Sequence, residues 1–97
     1  MIARGDLPHG IQAAMICHAA GESSPGNLPA DTYAIVLTCR DELHLALVAD
    51  ELEAKGVALV RVYEPDPPYR GALMALGLKP ARKEALRRHL SQLPLLR

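Results

Sequence analysis

Ninety-seven residues allow one small domain, and an apolar content of 49% gives it a core and excludes a disordered chain. The aromatics are three tyrosines only, which argues against a base-stacking platform for single-stranded nucleic acid. Formal charge is zero, but it is unevenly placed: Asp41, Glu42, Asp50, Glu51, Glu53, Glu64 and Asp66 face only Lys55 and Arg61, whereas Lys79, Arg82, Lys83, Arg87, Arg88 and Arg97 face only Glu84.

Met1 to Leu7 reads as a short strand whose pairing could continue upstream of Met1. Pro8 and Gly10 then break the chain before a helix from Gly10 to Ala20, with Gly21 as its left-handed cap. That helix is dense in small residues (Ala13, Ala14, Cys17, Ala19 and Ala20), which lets it lie close to whatever it covers. It begins at a strand's carboxyl end, the edge where open α/β sheets hold ligands. Glu22 to Pro29 has the turn chemistry of a loop, and Thr32 to Thr38 is a continuous apolar run expected as a strand buried on both faces. Asp41 is expected to cap a second helix running to about Lys55 and stopped by Gly56, with Leu45, Val48, Ala49 and Leu52 on one face.

Val57 to Tyr63 is the next strand. Glu64 to Gly71 carries three prolines and is irregular. Ala72 to Leu76 forms a fourth strand closed by Gly77, and Pro80 opens a third helix that buries Ala81, Ala85, Leu86, Leu90 and Leu93 before Pro94 ends it. This order predicts a single α/β domain: a three-layer sandwich, with a mixed four-stranded sheet and helices on both faces. Right-handed crossovers make the first three strands parallel, and the short link before the fourth makes it antiparallel. His18 and the Glu64–Tyr69 loop are then expected at the same end of the sheet, since both the first helix and the loop follow strand carboxyl ends.

Four segments carry a family resemblance. Arg4-Gly5-Asp6-Leu7 closes the first strand, and Gly10 to Ala20 follows with His18 ahead of Ala19-Ala20. Ala72-Leu-Met-Ala-Leu-Gly77 and Leu93-Pro-Leu-Leu96 come late in the chain. In this order they resemble the type II (archaeal and eukaryotic) peptidyl-tRNA hydrolases over nearly the whole length, with the first helix the specific part. The resemblance implies ester hydrolysis at the 3′ end of a peptidyl- or aminoacyl-tRNA. It implies His18 with Glu64 or Asp66 as the catalytic groups, and Arg4, Asp6, Gln12, Tyr69 and Arg70 toward the substrate. It implies no cofactor and no metal, and the isolation of Cys17 and Cys39 likewise leaves no zinc motif.

The departures fall on the chemistry. Where the family has a lysine after the helix glycine this chain has Ile11, and where it has a glutamine this chain has Met15. Gln12 lies one turn away from the latter. Loss of one oxyanion-stabilising donor costs a rate factor of roughly 10²–10³. A carboxylate beside His18 could still let the imidazole activate water, with Arg70 or Arg4 as replacement charge. Two functions therefore stand: a tRNA ester hydrolase, or a binding module with a lapsed site. A missing charge supplied by another subunit, as in a homodimer, is a third arrangement.

Plainer readings accompany each residue. His18 also reads as a packed, hydrogen-bonded structural histidine, Glu64 and Asp66 as turn formers, and Tyr69 and Arg70 as loop cover. The basic C-terminal segment reads as a phosphate-facing end or as a solvated helix face. No apolar run approaches the roughly 20 residues of a membrane span. The first residues show no leader pattern, so a cytoplasmic protein with reduced thiols is expected.

Overall fold

The computed structural model describes residues 1–97. Its elements in chain order are β1 (Ile2–Arg4), α1 (His9–Ser23), β2 (Leu37–Cys39), α2 (Glu42–Ala54), β3 (Leu59–Tyr63), β4 (Leu73–Leu78) and α3 (Lys83–Leu90). The strands form one sheet in the order β2-β1-β4-β3. β1 and β2 are parallel, and β4 runs antiparallel to both β1 and β3, so the first three strands share one direction. The fold is the expected α/β sandwich. No helix is long and apolar enough to cross a membrane.

Each sheet face carries its own core. On one side Met15 and Ala19 of α1 pack with Leu7, Val62, Met74 and Ala75. On the other, Leu45, Val48, Ala49 and Leu52 of α2 pack with Ile2, Cys39, Leu73, Leu76 and Leu93. The pairing shifts between Val62, opposite Ala75, and Tyr63, opposite Leu73, leaving Met74 as the extra residue of a bulge. The bulge turns Met74 and Ala75 both toward α1 and Leu73 toward α2.

Several boundaries differ from those expected. β1 is only three residues because Gly5 and Asp6 already turn. α1 runs straight through Gly21, which is helical rather than a left-handed cap, and continues to Ser23, whose hydroxyl donates to the Ala19 carbonyl at 2.7 Å. The apolar run from Thr32 yields only Leu37–Cys39 as strand, and residues 32–35 are exposed. The register explains this: Leu37 sits opposite Ile2, so the preceding residues run past the paired part of β1. β2 is also an edge strand, and its outer side is covered by the C-terminal segment through a bridge from Leu37 to Leu95.

Gly77 does not close β4 but lies inside it. A Cβ there would collide with the Ala19 carbonyl oxygen and reach the Ser23 Oγ at 2.8 Å, so α1 rests directly on the strand backbone. α2 forms as its cap predicts, with Asp41 accepting the His44 N–H at 2.9 Å and Gly56 at φ +82° past its end. α3 starts three residues beyond Pro80 and buries none of its side chains. Ala81 and Ala85 are exposed and Leu86 and Leu90 half-buried, because the segment lies at the margin of the α2 face and only Leu93, past the helix, is buried in the core. Glu84 in its first turn and Arg87, Arg88 and His89 in its last complement the helix dipole, so charge placement rather than packing favours this helix.

Candidate functional site

The carboxyl end of β1 gathers two of the chain's three buried polar side chains, Arg4 and Gln12. Arg4 ends the strand and turns inward. Its guanidinium forks onto Asp6, with Nε donating to Oδ1 at 3.0 Å and Nη2 to Oδ2 at 2.9 Å. Nη1 donates to the Leu73 carbonyl at 3.1 Å. Gln12, in the first turn of α1, donates from Nε2 to the Arg4 carbonyl at 2.8 Å. Glu42, at the start of α2, accepts the Leu73 N–H at 2.8 Å. The first residue of β4 is thus held at its carbonyl by Arg4 and at its N–H by Glu42. The hydrogen bond from Arg4 holds the Asp6 carboxyl below the usual carboxylate range, and the same bond raises Arg4.

Of the residues singled out from sequence, the structure therefore brings Arg4, Asp6 and Gln12 together. The second group lies in the loop after β3. Glu64 accepts the Asp66 N–H at Oε1, 3.1 Å, and its carbonyl takes the Gly71 N–H at 2.8 Å. Tyr69 is half-buried against the α1-side core, whereas Asp66 and Arg70 are exposed. Because β1 and β3 are parallel, this loop and the start of α1 do share one end of the sheet.

His18 stands apart from both groups. It is exposed on α1 and takes part in no hydrogen bond or ion pair, so the packed, hydrogen-bonded reading of it does not hold either. Its neighbour Ala19 lies against Gly77, five strand residues from the Ala72 carbonyl that accepts the Glu64 N–H. At a strand rise of about 3.3 Å per residue that is roughly 16 Å from the loop. Ile11 is half-buried and Met15 buried, both packed in the α1-side core where the family carries lysine and glutamine.

A general base works when a third group orients it toward its substrate. His18 has none, and the β1-end cluster spends its donors on its own partners, with no buried side-chain nitrogen or oxygen left unpaired. No three His, Cys, Asp or Glu side chains gather closely enough to hold a metal ion. Glu42 was not among the residues singled out; an acid in the first turn after a capping Asp signals a helix start, not a clamp on a distant strand. No protein-family model and no curated protein matches the chain.

Basic charge is free elsewhere. The ion pairs join Arg4 to Asp6, Lys55 to Glu51, and Arg61 to Asp50 and Glu53. None involves Lys79, Arg82, Lys83, Arg87, Arg88 or Arg97. Arg88 and His89 share one surface depression with Lys55.

Proposed function

We propose that this chain is a tRNA-binding module resembling the type II peptidyl-tRNA hydrolases, in which ester hydrolysis has lapsed. The lapse rests on one observation: the exposed His18, without an orienting partner, lies far along the sheet from the Glu64–Asp66 loop. Ile11 and Met15 add to it, since they fill core volume where an oxyanion donor would be needed. The binding half of the reading rests on the unpaired cations of residues 79–97, a solvated stripe able to track a phosphate backbone. Free thiols at Cys17 and Cys39 suit the cytoplasm, where such RNA is met.

The test combines binding and turnover on the whole chain. Association with tRNA should weaken steeply as salt is raised, and Arg87→Ala with Arg88→Ala should lower the logarithmic salt slope by about 1 per removed phosphate contact. Peptidyl-tRNA should survive incubation intact. Turnover abolished by His18→Ala would restore the hydrolase reading, and salt-insensitive or absent binding would remove tRNA as the ligand.

A further inference from the structure

β1 and β2 lie side by side and parallel, yet the chain leaves them toward opposite faces of the sheet. From β1 it turns to α1 on one face, and from β2 it turns to α2 on the other. Divergent exits from neighbouring parallel strands open a crevice at their carboxyl ends, the position where open α/β sheets take ligands. Here that crevice is a cleft lined by Gly5, Thr38, Arg40, His44, Gln92 and Pro94, with Cys39 at its base. It contains none of the unpaired cations among residues 79–97 and no residue of the β3–β4 loop, although Gln92 and Pro94 lie between Arg88 and Arg97 in sequence.

Its polar groups sort cleanly into spent and free. The Thr38 hydroxyl donates to the Ala3 carbonyl at 3.2 Å. The Cys39 thiol donates to the Ala3 and Asp41 carbonyls, and burial pushes it up to about 11, so the base of the cleft is neutral. Asp41 caps α2, which occupies the helix end itself. Gly5 adds no side chain; a Cβ there would stand 3.0 Å from both the Cys39 carbonyl and Thr38 Oγ1.

The free groups are donors. Arg40 is exposed and belongs to no ion pair. His44 accepts the Arg40 N–H at Nδ1, 3.0 Å, so its ring proton sits on Nε2. Gln92 makes no hydrogen bond within the chain and is brought to the rim by the Thr38 N–H, which donates to the Pro94 carbonyl at 2.9 Å. Around them Asp6 is forked onto Arg4, and Asp41 and Glu42 carry further negative charge. One free guanidinium among these acids suits a monoanion and disfavours a dianion.

We propose that this crevice binds a small carboxylate, such as the α-carboxylate of an amino acid or peptide. Arg40 forks onto its two oxygens, and His44 Nε2 and Gln92 donate to the carboxylate or to the adjoining amide carbonyl. The site is independent of the tRNA reading, since it uses none of the cations on which that reading rests.

The probe is N-acetylglycine, titrated into the full chain and followed by NMR. Its neutral amide and inorganic phosphate serve as the two comparisons. The expected result is a saturable shift at Arg40, His44 and Gln92 with N-acetylglycine, little with the amide, and weaker binding of phosphate. Arg40→Ala should weaken the titration by about tenfold or more, as loss of a charge-assisted pair does, and Arg40→Lys should fall between. Arg40 is a surface residue, so both variants retain the fold. Equal response to the amide, preference for phosphate, or indifference to Arg40→Ala would each overturn the proposal.

Discussion

Two glycines, Gly77 beneath α1 and Gly21 on its exposed side, show how much a single side chain decides. Gly77 has no room for a methyl group, because the Ala19 backbone occupies the space a Cβ would take. Gly77→Ala must push α1 off the sheet and is expected to cost about 1–3 kcal/mol by overpacking. Gly21 lies mid-helix with nothing near its Cβ position, so Gly21→Ala should stabilise by roughly 0.5–1 kcal/mol. Chemical denaturation of the two variants should give opposite signs. Asp6 offers a second test. Its folded-state carboxyl is held below its unfolded value, so its contribution is present above the ordinary aspartate range near pH ~3.9 and is lost as pH falls through the lower folded value. Asp6→Asn should remove that part of the acid dependence of stability. An unchanged pH profile would mean that the pair with Arg4 does not persist in solution.

At the scale of elements, α2 and α3 look alike in sequence and differ in weight. Both show leucines at helical spacing, but α2 crosses the sheet whereas α3 lies at its margin. Leu45 is fully buried and Leu86 is not. Leu45→Ala should therefore cost about 2–5 kcal/mol and Leu86→Ala much less, a contrast read directly from their thermal midpoints. The spacing of Leu86 and Leu90 shows a helix with an apolar side, but nothing in it says whether a partner surface lies opposite. The same limit applies to Thr32–Thr38, where an apolar run reads as a buried strand although the register carries most of it past β1. By contrast the Asp41 cap, the α2 face and the strand directions were legible, because they depend on neighbours in sequence or on crossover handedness. The site divided in the same way. Arg4, Asp6 and Gln12 are close in sequence and meet, whereas Glu42 reaches Leu73 across 31 residues and left no local signal.

On the scale of the whole molecule, the two edges of the sheet are protected differently. On β3 the inward-turned Arg61 is held by Asp50 and Glu53 of α2, and the Met74 bulge in β4 disturbs the ladder beside its end. β2 is instead covered by residues 94–96: the Leu96 N–H donates to the Val36 carbonyl at 3.0 Å, alongside the Thr38 bond to Pro94. Removing residues 94–97 should leave that edge unpaired and promote self-association, visible as a concentration-dependent rise in sedimentation coefficient. A truncated chain that stays monomeric would show that the edge needs no cover.

The opposite side of β2 pairs with β1 and with Met1 before it, whose carbonyl accepts the Leu37 N–H at 2.9 Å and whose ammonium donates to the Ile35 carbonyl at 2.8 Å. One short strand is thus paired on one side by residues 1–4 and on the other by residues 94–96, from opposite ends of the domain's sequence. During synthesis on the ribosome, β2 can meet β1 early, but its outer ladder must wait for residues 94–96 to leave the exit tunnel. Until residues 94–96 emerge the nascent chain carries an open strand edge, which makes that interval one in which a chaperone matters most.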